Sequence, residues 1–269
     1  MPFPDIDPVA FAIGPFVVRW YALAYLGGVV LGAAYGRTLL AQNALWKDGK
    51  PPFEAAAIWD FAFWAVIGIV LGGRLGYVLF YNLPHYAANP GEILALWDGG
   101  MAYHGGMVGL MTAMALFTRS KGGNILSALD LLGAIATIGL FLGRLANFVN
   151  AELYGAPTSL PWGVVFPTDP EQLPRHPSQL YEAALEGLLL FIIIRYVTHV
   201  AHGLRRPGLT AGIFGIGYAV SRIAVEFVRL PDPQLGYLWG GWLTMGMVLS
   251  LPILVAGIAL VFYAGRRAP

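Results

Sequence analysis

The sequence predicts an all-α, polytopic membrane protein of about seven transmembrane helices with a small cap on the outer side. Hydrophobic residues make up 57% of the chain and charged residues only 12%, against roughly a quarter charged in soluble domains. Apolar runs of about 20 residues recur along the chain, each long enough to cross a bilayer as a helix. The alternating pattern of a transmembrane β-barrel is missing. Residues 1–269 are therefore interpreted as one integral membrane domain.

Seven apolar stretches mark the predicted spans. The third is short, and glycines near its ends leave its boundaries poorly defined. In chain order the stretches are Trp20–Leu40, Ile58–Leu79, Met101–Phe117, Ile125–Asn147, Gln179–Val197, Gly208–Val228 and Leu238–Tyr263. Glycines four residues apart recur in three of them and predict close helix packing. These glycines are Gly28, Gly32 and Gly36, then Gly68, Gly72 and Gly76, then Gly139 and Gly143.

The lysines and arginines of the short loops predict the orientation, because cytoplasmic loops carry an excess of positive charge. Segment 80–100, after the second stretch, contains neither residue type. The basic residues of the first, third and fifth loops and of the tail share the other side: Arg37, Lys47, Lys50, Arg119, Lys121, Arg205, Arg206, Arg266 and Arg267. The N-terminus is therefore expected outside and the C-terminus in the cytoplasm.

Two segments are expected to lie outside the bilayer. Phe3–Arg19 is too short to cross it and is expected to lie along the outer surface. Segment 149–177 is the largest outer insertion, is rich in proline and glycine, and is predicted to form the cap.

Composition also excludes several functions. The chain has no cysteine, which rules out disulfides, thiolate metal sites and a cysteine nucleophile of its own. Its net charge of +1 gives no reason to expect nucleic acid as a partner. The histidines show no ligand spacing, so we expect no metal and no cofactor.

Arginines within the apolar stretches indicate a functional site, because charge at membrane depth is costly. Arg74, Arg144 and Arg222 each follow a small residue on an even-numbered stretch. At about 1.5 Å per residue each lies roughly 20–30 Å along its helix, in the outer leaflet. Arg229 follows Arg222 by two helical turns, with Glu226 between them. The four arginines could therefore converge.

Two interpretations of these arginines remain open. They could bind an anionic ligand such as a phospholipid headgroup, because a guanidinium matches phosphate geometry. Alternatively, they could snorkel to the headgroups or pair with Glu226 and Glu152. Four arginines outnumber those two carboxylates, which favours the ligand, although Arg222 beside Glu226 favours the structural interpretation. Glu182 and Glu186, one turn apart, also need donors, for which the arginines are candidates.

His104 enters the third stretch between two pairs of glycines. A histidine, whose ordinary pKa is about 6.5, can accept a proton from a thiol, whose ordinary pKa is about 8.5. The alternative is that His104 has a structural role, as a lone histidine near a membrane usually does. Farther along the chain, Ser178 after Pro177 is predicted to be the N-cap of the fifth helix.

At these residues the chain resembles the bacterial prolipoprotein diacylglyceryl transferases. The segment from Gly143 to Gly155 fits the diagnostic pattern of that family at every specified position, which are Gly143, Arg144, Ala146, Asn147, Phe148, Val149, Asn150, Glu152 and Gly155. The similarity covers essentially the whole chain, including Leu71–Asn82, Trp97–Gly106, Leu173–Glu182 and Val225–Asp232. One departure is visible, since the outer segment before Leu173 is shorter than expected for some relatives.

The resemblance implies a multi-pass enzyme of the bacterial plasma (inner) membrane with its active site towards the periplasm. It would transfer the diacylglyceryl group of phosphatidylglycerol to the lipobox cysteine of a prolipoprotein signal peptide, releasing glycerol phosphate. His104, Arg144 and Arg229 correspond to the catalytic positions, and Arg144 and Arg229 would also grip the headgroup. Further candidate substrate-binding residues are Tyr21, Arg74, Asn147, Asn150, Glu152, Gly155 and Glu226. A transporter or flippase of an anionic lipid is the alternative, although no inverted repeat is evident.

Overall fold

The computed structural model of the protein describes residues 1–231 and 236–266 and is mainly helical. The α-helices are α1 (Trp20–Leu40), α2 (Ile58–Phe80), α3 (Leu83–Ala88), α4 (Tyr103–Ser120), α5 (Ile125–Val149), α6 (Ser178–Glu182), α7 (Leu190–His199), α8 (Leu209–Glu226) and α9 (Met245–Arg266). Each predicted stretch overlaps one of the long helices or, for the fifth stretch, α6 and α7 together. Arg267 of the predicted tail and Asp232 of the family-like segment lie outside the described residues.

Five helices in the described residues are long and apolar enough to cross a membrane. They are Trp20–Leu40, Ala55–Phe80, Ile125–Val149, Leu209–Glu226 and Met245–Arg266. The prediction of a helical protein with several apolar spans is therefore confirmed. The count of seven spans and the orientation stay predictions.

A π-helix joins α6 to α7. It covers Ala183–Leu189, so that one continuous helical unit runs over residues 178–199. Single π turns within α-helices are frequent at functional sites. Gly187 lies in this turn, and a Cβ there would meet Cβ of Phe141 on α5 at 2.7 Å. The glycine therefore brings the π-helix close to α5.

Glycines mediate close contact between the long helices, as predicted. A Cβ on Gly28 of α1 would lie 3.1 Å from Cα of Gly139 on α5, and one on Gly72 of α2 would lie 2.3 Å from the carbonyl oxygen of Gly105 on α4. Such approach gives van der Waals contact between backbones. Gly143 differs, because a Cβ there meets nothing within 4 Å.

The protein also contains two small antiparallel sheets, which the all-α prediction does not include. Strands β1 (Val9–Ile13) and β2 (Phe16–Arg19) form a hairpin directly before α1. Strands β3 (Val164–Val165) and β4 (Pro174–Arg175) pair within segment 149–177. The hairpin turns at Gly14, whose positive φ of 58° suits glycine. The sequence does not predict these strands, because the apolar residues between 3 and 19 indicate only a surface segment.

A buried carboxylate fixes the start of α8. Asp130 of α5 is fully buried, and its Oδ2 and Oδ1 accept hydrogen bonds from the backbone N–H groups of Gly208 at 2.7 Å and Ala211 at 2.8 Å. Asp130 thus satisfies donors that a helix N-terminus leaves without intrahelical partners. The contact fixes α8 against α5 at the end opposite to Arg222.

Candidate active site

Three buried arginines and three buried glutamates form one ion-pair network between α5, α6, the π-helix and α8. Glu182 is the centre of this network, and its side chain is completely buried. Its Oε2 lies 3.2 Å from Nη1 of Arg144, and its Oε1 lies 3.4 Å from Nη1 of Arg229. Nη1 of Arg222 donates to the same Oε1. Three guanidinium groups therefore converge on one carboxylate.

Two further glutamates complete the network. Nη2 of Arg144 lies 3.2 Å from Oε2 of Glu186 in the π-helix. Glu226 pairs with Nη2 of Arg222 and lies 3.8 Å from Nη1 of Arg229. Each of the three arginines therefore contacts two carboxylates. Such buried charges hold one another in a fixed geometry, and removing one partner is strongly destabilising.

This pairing corrects the charge comparison made from the sequence. Arg144, Arg222 and Arg229 converge as expected, whereas Arg74 contacts backbone carbonyls elsewhere. The carboxylates of the three converging arginines are Glu226, Glu182 and Glu186, for which the sequence already made the arginines candidate partners, whereas Glu152 accepts from asparagines. The formal charges of the network balance, so an excess of arginine over carboxylate is not what favours an anion. The structure instead shows guanidinium groups that are positioned in advance by buried carboxylates.

The start of α9 encloses the network on the side of Glu226. Thr244 donates a hydrogen bond from Oγ1 to Oε2 of Glu226. A Cβ on Gly246 would lie 2.5 Å from Oε1 of the same glutamate, so only glycine leaves room for the carboxylate. A small cavity borders Arg222, Glu226, Arg229 and this segment.

Asparagines and a glutamine hold the loop that follows α5. Oε1 of Glu152 accepts hydrogen bonds from Nδ2 of Asn147 at 2.8 Å and of Asn150 at 3.4 Å. Nε2 of Gln179 donates to the backbone carbonyl of Glu152 at 2.6 Å. Ser178 donates from Oγ to the carbonyl of Leu153 at 2.9 Å. The predicted N-cap role of Ser178 is wrong: Pro177 occupies that position, and the serine hydroxyl binds the loop instead.

Gly155 connects this loop to Arg229. The two residues form an antiparallel β-bridge, and the N–H of Gly155 donates to the carbonyl of His176 at 2.8 Å. A Cβ on Gly155 would lie 2.4 Å from the carbonyl oxygen of Val228. Only glycine therefore permits this approach, which fixes the backbone that carries Arg229.

Tyr21 and His104 lie at helix ends. Tyr21, near the start of α1, is within electrostatic range of Glu152 and Arg144, and its hydroxyl lies 2.9 Å from that of Tyr25. His104 is exposed at the second position of α4, with its ring 5.5 Å from the ring of Tyr103.

The electrostatic neighbours of Tyr218 on α8 include the residue next to His104 and members of the ion-pair network. Tyr218 is within electrostatic range of Tyr103 and also of Arg144, Glu186 and Arg222. Tyr103, the residue before His104, and the ion-pair network are therefore both within electrostatic range of the same tyrosine.

Arg74 is buried but contacts a different set of atoms. Its Nε donates to the carbonyl of Ile93 at 2.8 Å, Nη1 to that of Gly99 at 2.5 Å and Nη2 to that of Glu92 at 2.6 Å. Its guanidinium also lies 5.0 Å from the ring centre of Tyr86. Arg74 thus orders the segment that leads into α4, and its binding of a lipid stays a prediction.

Segment 149–177 contains an ion pair of its own. Arg175 donates from Nε and Nη2 to both carboxylate oxygens of the buried Asp169, at 2.7 and 2.9 Å. Hydrogen bonds from Arg175 lower the pKa of Asp169 below its ordinary value. Burial lowers the pKa of His176, whose Nδ1 lies 3.2 Å from the hydroxyl of Tyr181. Over residues 1–231 and 236–266, no three histidine or acidic side chains are grouped to share a metal ion.

Apolar helices with an arginine–glutamate network buried between them define a helical membrane protein with an internal polar site. The model of the prolipoprotein diacylglyceryl transferase family matches residues 8–263. The chain belongs to this family. Three curated relatives are named phosphatidylglycerol–prolipoprotein diacylglyceryl transferase.

The relatives are similar to the chain over nearly its full length. The Rhizobium meliloti protein is 52% identical over 96% of this chain and 92% of its own. The Brucella canis protein is 52% identical and the Brucella anthropi protein 51% identical, each over 99% of this chain and 94% of its own.

Proposed function

We propose that the protein transfers the diacylglyceryl group of phosphatidylglycerol to the cysteine thiol of a prolipoprotein lipobox, forming a thioether and releasing glycerol phosphate. Membership of the family and the names of the relatives support this reaction. They do not favour the alternative of a transporter or flippase. The chain has no cysteine, so the acceptor protein supplies the thiol.

The convergence of Arg144 and Arg229 on Glu182 is the observation that carries the mechanism. Arg144 lies on α5 and Arg229 lies in the β-bridge three residues beyond the end of α8, yet both contact the same buried carboxylate, at 3.2 and 3.4 Å. Arg144 is the most exposed arginine of the network, with 17% of its side chain accessible. In the proposed site both guanidinium groups face the phosphate of the lipid headgroup, and Tyr21, Asn147, Asn150, Glu152, Gly155 and Glu226 shape the surroundings.

The guanidinium groups favour the transition state over the bound substrate. The cysteine sulfur attacks the glycerol carbon, the C–O bond to phosphate breaks, and the electron pair of that bond passes to the phosphate. The departing group thereby gains negative charge as it changes from a phosphodiester to a monoester. Arginines held in place by Glu182, Glu186 and Glu226 stabilise this charge without reorganising.

His104 is proposed to receive the thiol proton. It lies at the exposed end of α4, and its neighbour Tyr103 is within electrostatic range of the same Tyr218 as Arg144. A histidine titrates close enough to a cysteine thiol to accept its proton near neutral pH. Arg74 supports this position by holding the segment that precedes α4.

The proposed setting is the bacterial inner membrane, with seven spans, the N-terminus outside and the site towards the periplasm. Segment 149–177 is the proposed periplasmic cap. The α4 helix and the 178–199 unit would supply the two spans beyond the five long apolar helices. The signal peptide of the acceptor presents its cysteine near the outer face, at the depth of the arginines.

The decisive experiment combines the purified protein with phosphatidylglycerol and a lipobox peptide, followed by mass spectrometry of the peptide. The expected result is a mass gain of one diacylglyceryl unit together with released glycerol phosphate. An unmodified peptide after incubation with folded protein would contradict the proposal. Movement of lipid across sealed vesicles without a covalent product would favour transport.

Two variants test the proposed roles. Arg144→Ala should reduce kcat/KM by about 10²–10³, the loss typical of one oxyanion donor. Arg119→Ala, an exposed arginine at the end of α4, should retain activity and serves as the control. Full activity of Arg144→Ala would refute the phosphate clamp. His104→Gln should flatten the acidic limb of the pH–rate profile, and an unchanged profile would leave His104 with a positioning role only.

A further inference from the structure

Two buried amide oxygens next to the ion-pair network have no hydrogen-bond partner among the described residues. They are Oε1 of Gln179 and Oδ1 of Asn150. Buried polar atoms are nearly always hydrogen-bonded, so such atoms call for an explanation. Gln179 is completely buried, which makes its unpaired oxygen especially costly.

The identity of these atoms as oxygens follows from their partners. Nε2 of Gln179 donates to the carbonyl of Glu152 at 2.6 Å, and Nδ2 of Asn150 donates to the carboxylate of the same residue at 3.4 Å. Both partners are acceptors, so each amide must turn its nitrogen towards Glu152. The atoms left over are therefore acceptors, and a ligand that satisfies them must donate hydrogen bonds.

These acceptors are carried by the same helices as the ion-pair network whose arginines are proposed to hold the phosphate. Gln179 precedes Glu182 by three residues on α6, so the two side chains lie on neighbouring positions of one helix face. Asn150 is the C-cap of α5, the helix that carries Arg144. The site thus presents cationic donors to a phosphate and neutral acceptors next to them.

We infer that Gln179 and Asn150 recognise the hydroxyl groups of the lipid headgroup. This inference rests on the proposed function, because it assumes that the phosphate lies at Arg144 and Arg229. The glycerol headgroup carries its hydroxyls on the carbons just beyond the phosphoester carbon, and a hydroxyl donates to an amide oxygen. Gln179 and Asn150 are then specificity-determining residues that select a polyol headgroup over a headgroup without hydroxyls.

The test compares phosphatidylglycerol with phosphatidylpropanol, which has the same charge and phosphodiester but no headgroup hydroxyl. Diacylglyceryl transfer to the lipobox peptide is measured by mass spectrometry with each lipid. The native protein should prefer phosphatidylglycerol by about tenfold or more in kcat/KM, the worth of a buried hydrogen bond. In Gln179→Met, which keeps the side-chain length without hydrogen-bonding groups, the preference should fall by about tenfold.

The ratio of the two lipids separates recognition from a structural role. Gln179→Met also loses the hydrogen bond to the carbonyl of Glu152, and that loss should affect both lipids equally. Ser178→Ala is the matched control, because Ser178 binds the neighbouring carbonyl of Leu153. It should leave the lipid preference unchanged. Asn150→Ala carries the same test if Gln179→Met does not fold.

The outcomes distinguish this inference from the proposed function. Transfer from phosphatidylglycerol by the native protein with a reduced preference in the two variants supports the inference. Equal use of both lipids by the native protein overturns the inference alone, as does an unchanged preference in both variants. Absence of transfer from either lipid overturns the proposed function, and the inference with it.

Discussion

Replacing Glu182 by glutamine removes the charge on which three arginines converge while keeping the size of the side chain. At separations of 3.2 and 3.4 Å, each contact corresponds to about 5 kcal/mol at an effective dielectric constant of about 20, before the cost of desolvation. The net effect is smaller, because Arg144 keeps Glu186, and Arg222 and Arg229 keep Glu226. The network is nevertheless left with one uncompensated positive charge.

The expected destabilisation of Glu182→Gln is about 3–5 kcal/mol, the range found when one partner of a buried ion pair is removed. Thermal unfolding of the detergent-solubilised protein, followed by intrinsic fluorescence, provides the measurement. Transfer activity should also fall, because Arg144 and Arg229 lose their common anchor. Both effects should appear in the same preparation.

Glu171→Gln is the control, because Glu171 also contacts an arginine, Arg175, at 2.5 Å but has 62% of its side chain exposed. An exposed ion pair contributes about 0–1 kcal/mol, so its unfolding temperature should stay close to that of the native protein. If Glu182→Gln unfolds at the same temperature as Glu171→Gln, the arginines do not depend on Glu182 and the reasoning fails.

Three other changes give separate tests. Gly155→Ala should destabilise the protein by about 1–3 kcal/mol or more, because the new Cβ would lie 2.4 Å from a carbonyl oxygen. Gly265→Ala is the control: its Cβ would meet no atom within 4 Å, so thermal unfolding should change little. The low pKa of Asp169 beside Arg175 predicts stability that is present above about pH 4 and is lost as the pH falls through the lower folded-state pKa. Asp169→Asn should remove that part of the pH dependence of unfolding. Arg74→Lys should increase proteolysis of segment 89–102 and lower activity, because lysine lacks the planar fork that contacts three separate carbonyls; unchanged proteolysis would argue against this ordering role.

The apolar stretches predicted the helices well, because membrane helices need long uncharged segments. Trp20–Leu40 has the predicted bounds, and the other long helices begin or end within a few residues of them, except that α9 begins at Met245 rather than Leu238. The π-helix of residues 183–189 was not predictable, since an i→i+5 hydrogen bond has no clear sequence pattern. The hairpin before α1 was also missed, although Gly14 and Pro15 mark its turn.

The site was predicted in part. The convergence of Arg144, Arg222 and Arg229 followed from their similar depth along parallel helices, but depth alone did not assign their carboxylates. Arg74 repeats the local sequence of Arg144, yet it contacts backbone carbonyls. Every residue has a backbone carbonyl, so the sequence does not indicate which carbonyls an arginine will contact. Gln179 was not predicted as a site residue, because a glutamine in a helix usually lies at the surface.

The long sequence separation within the ion-pair network bears on how the chain is assembled. Arg144 precedes Glu186 by 42 residues, and Glu182 precedes Arg222 by 40. During synthesis Arg144 thus reaches the translocon well before Glu182 and Glu186, and an unpaired arginine costs up to about 2.5–3.5 kcal/mol on insertion scales, the full value applying at the centre of the bilayer. Until the later helices are inserted, only the apolar residues of α5 offset this free-energy cost. A chain truncated before residue 222 would therefore leave Glu182 without two of its three cations.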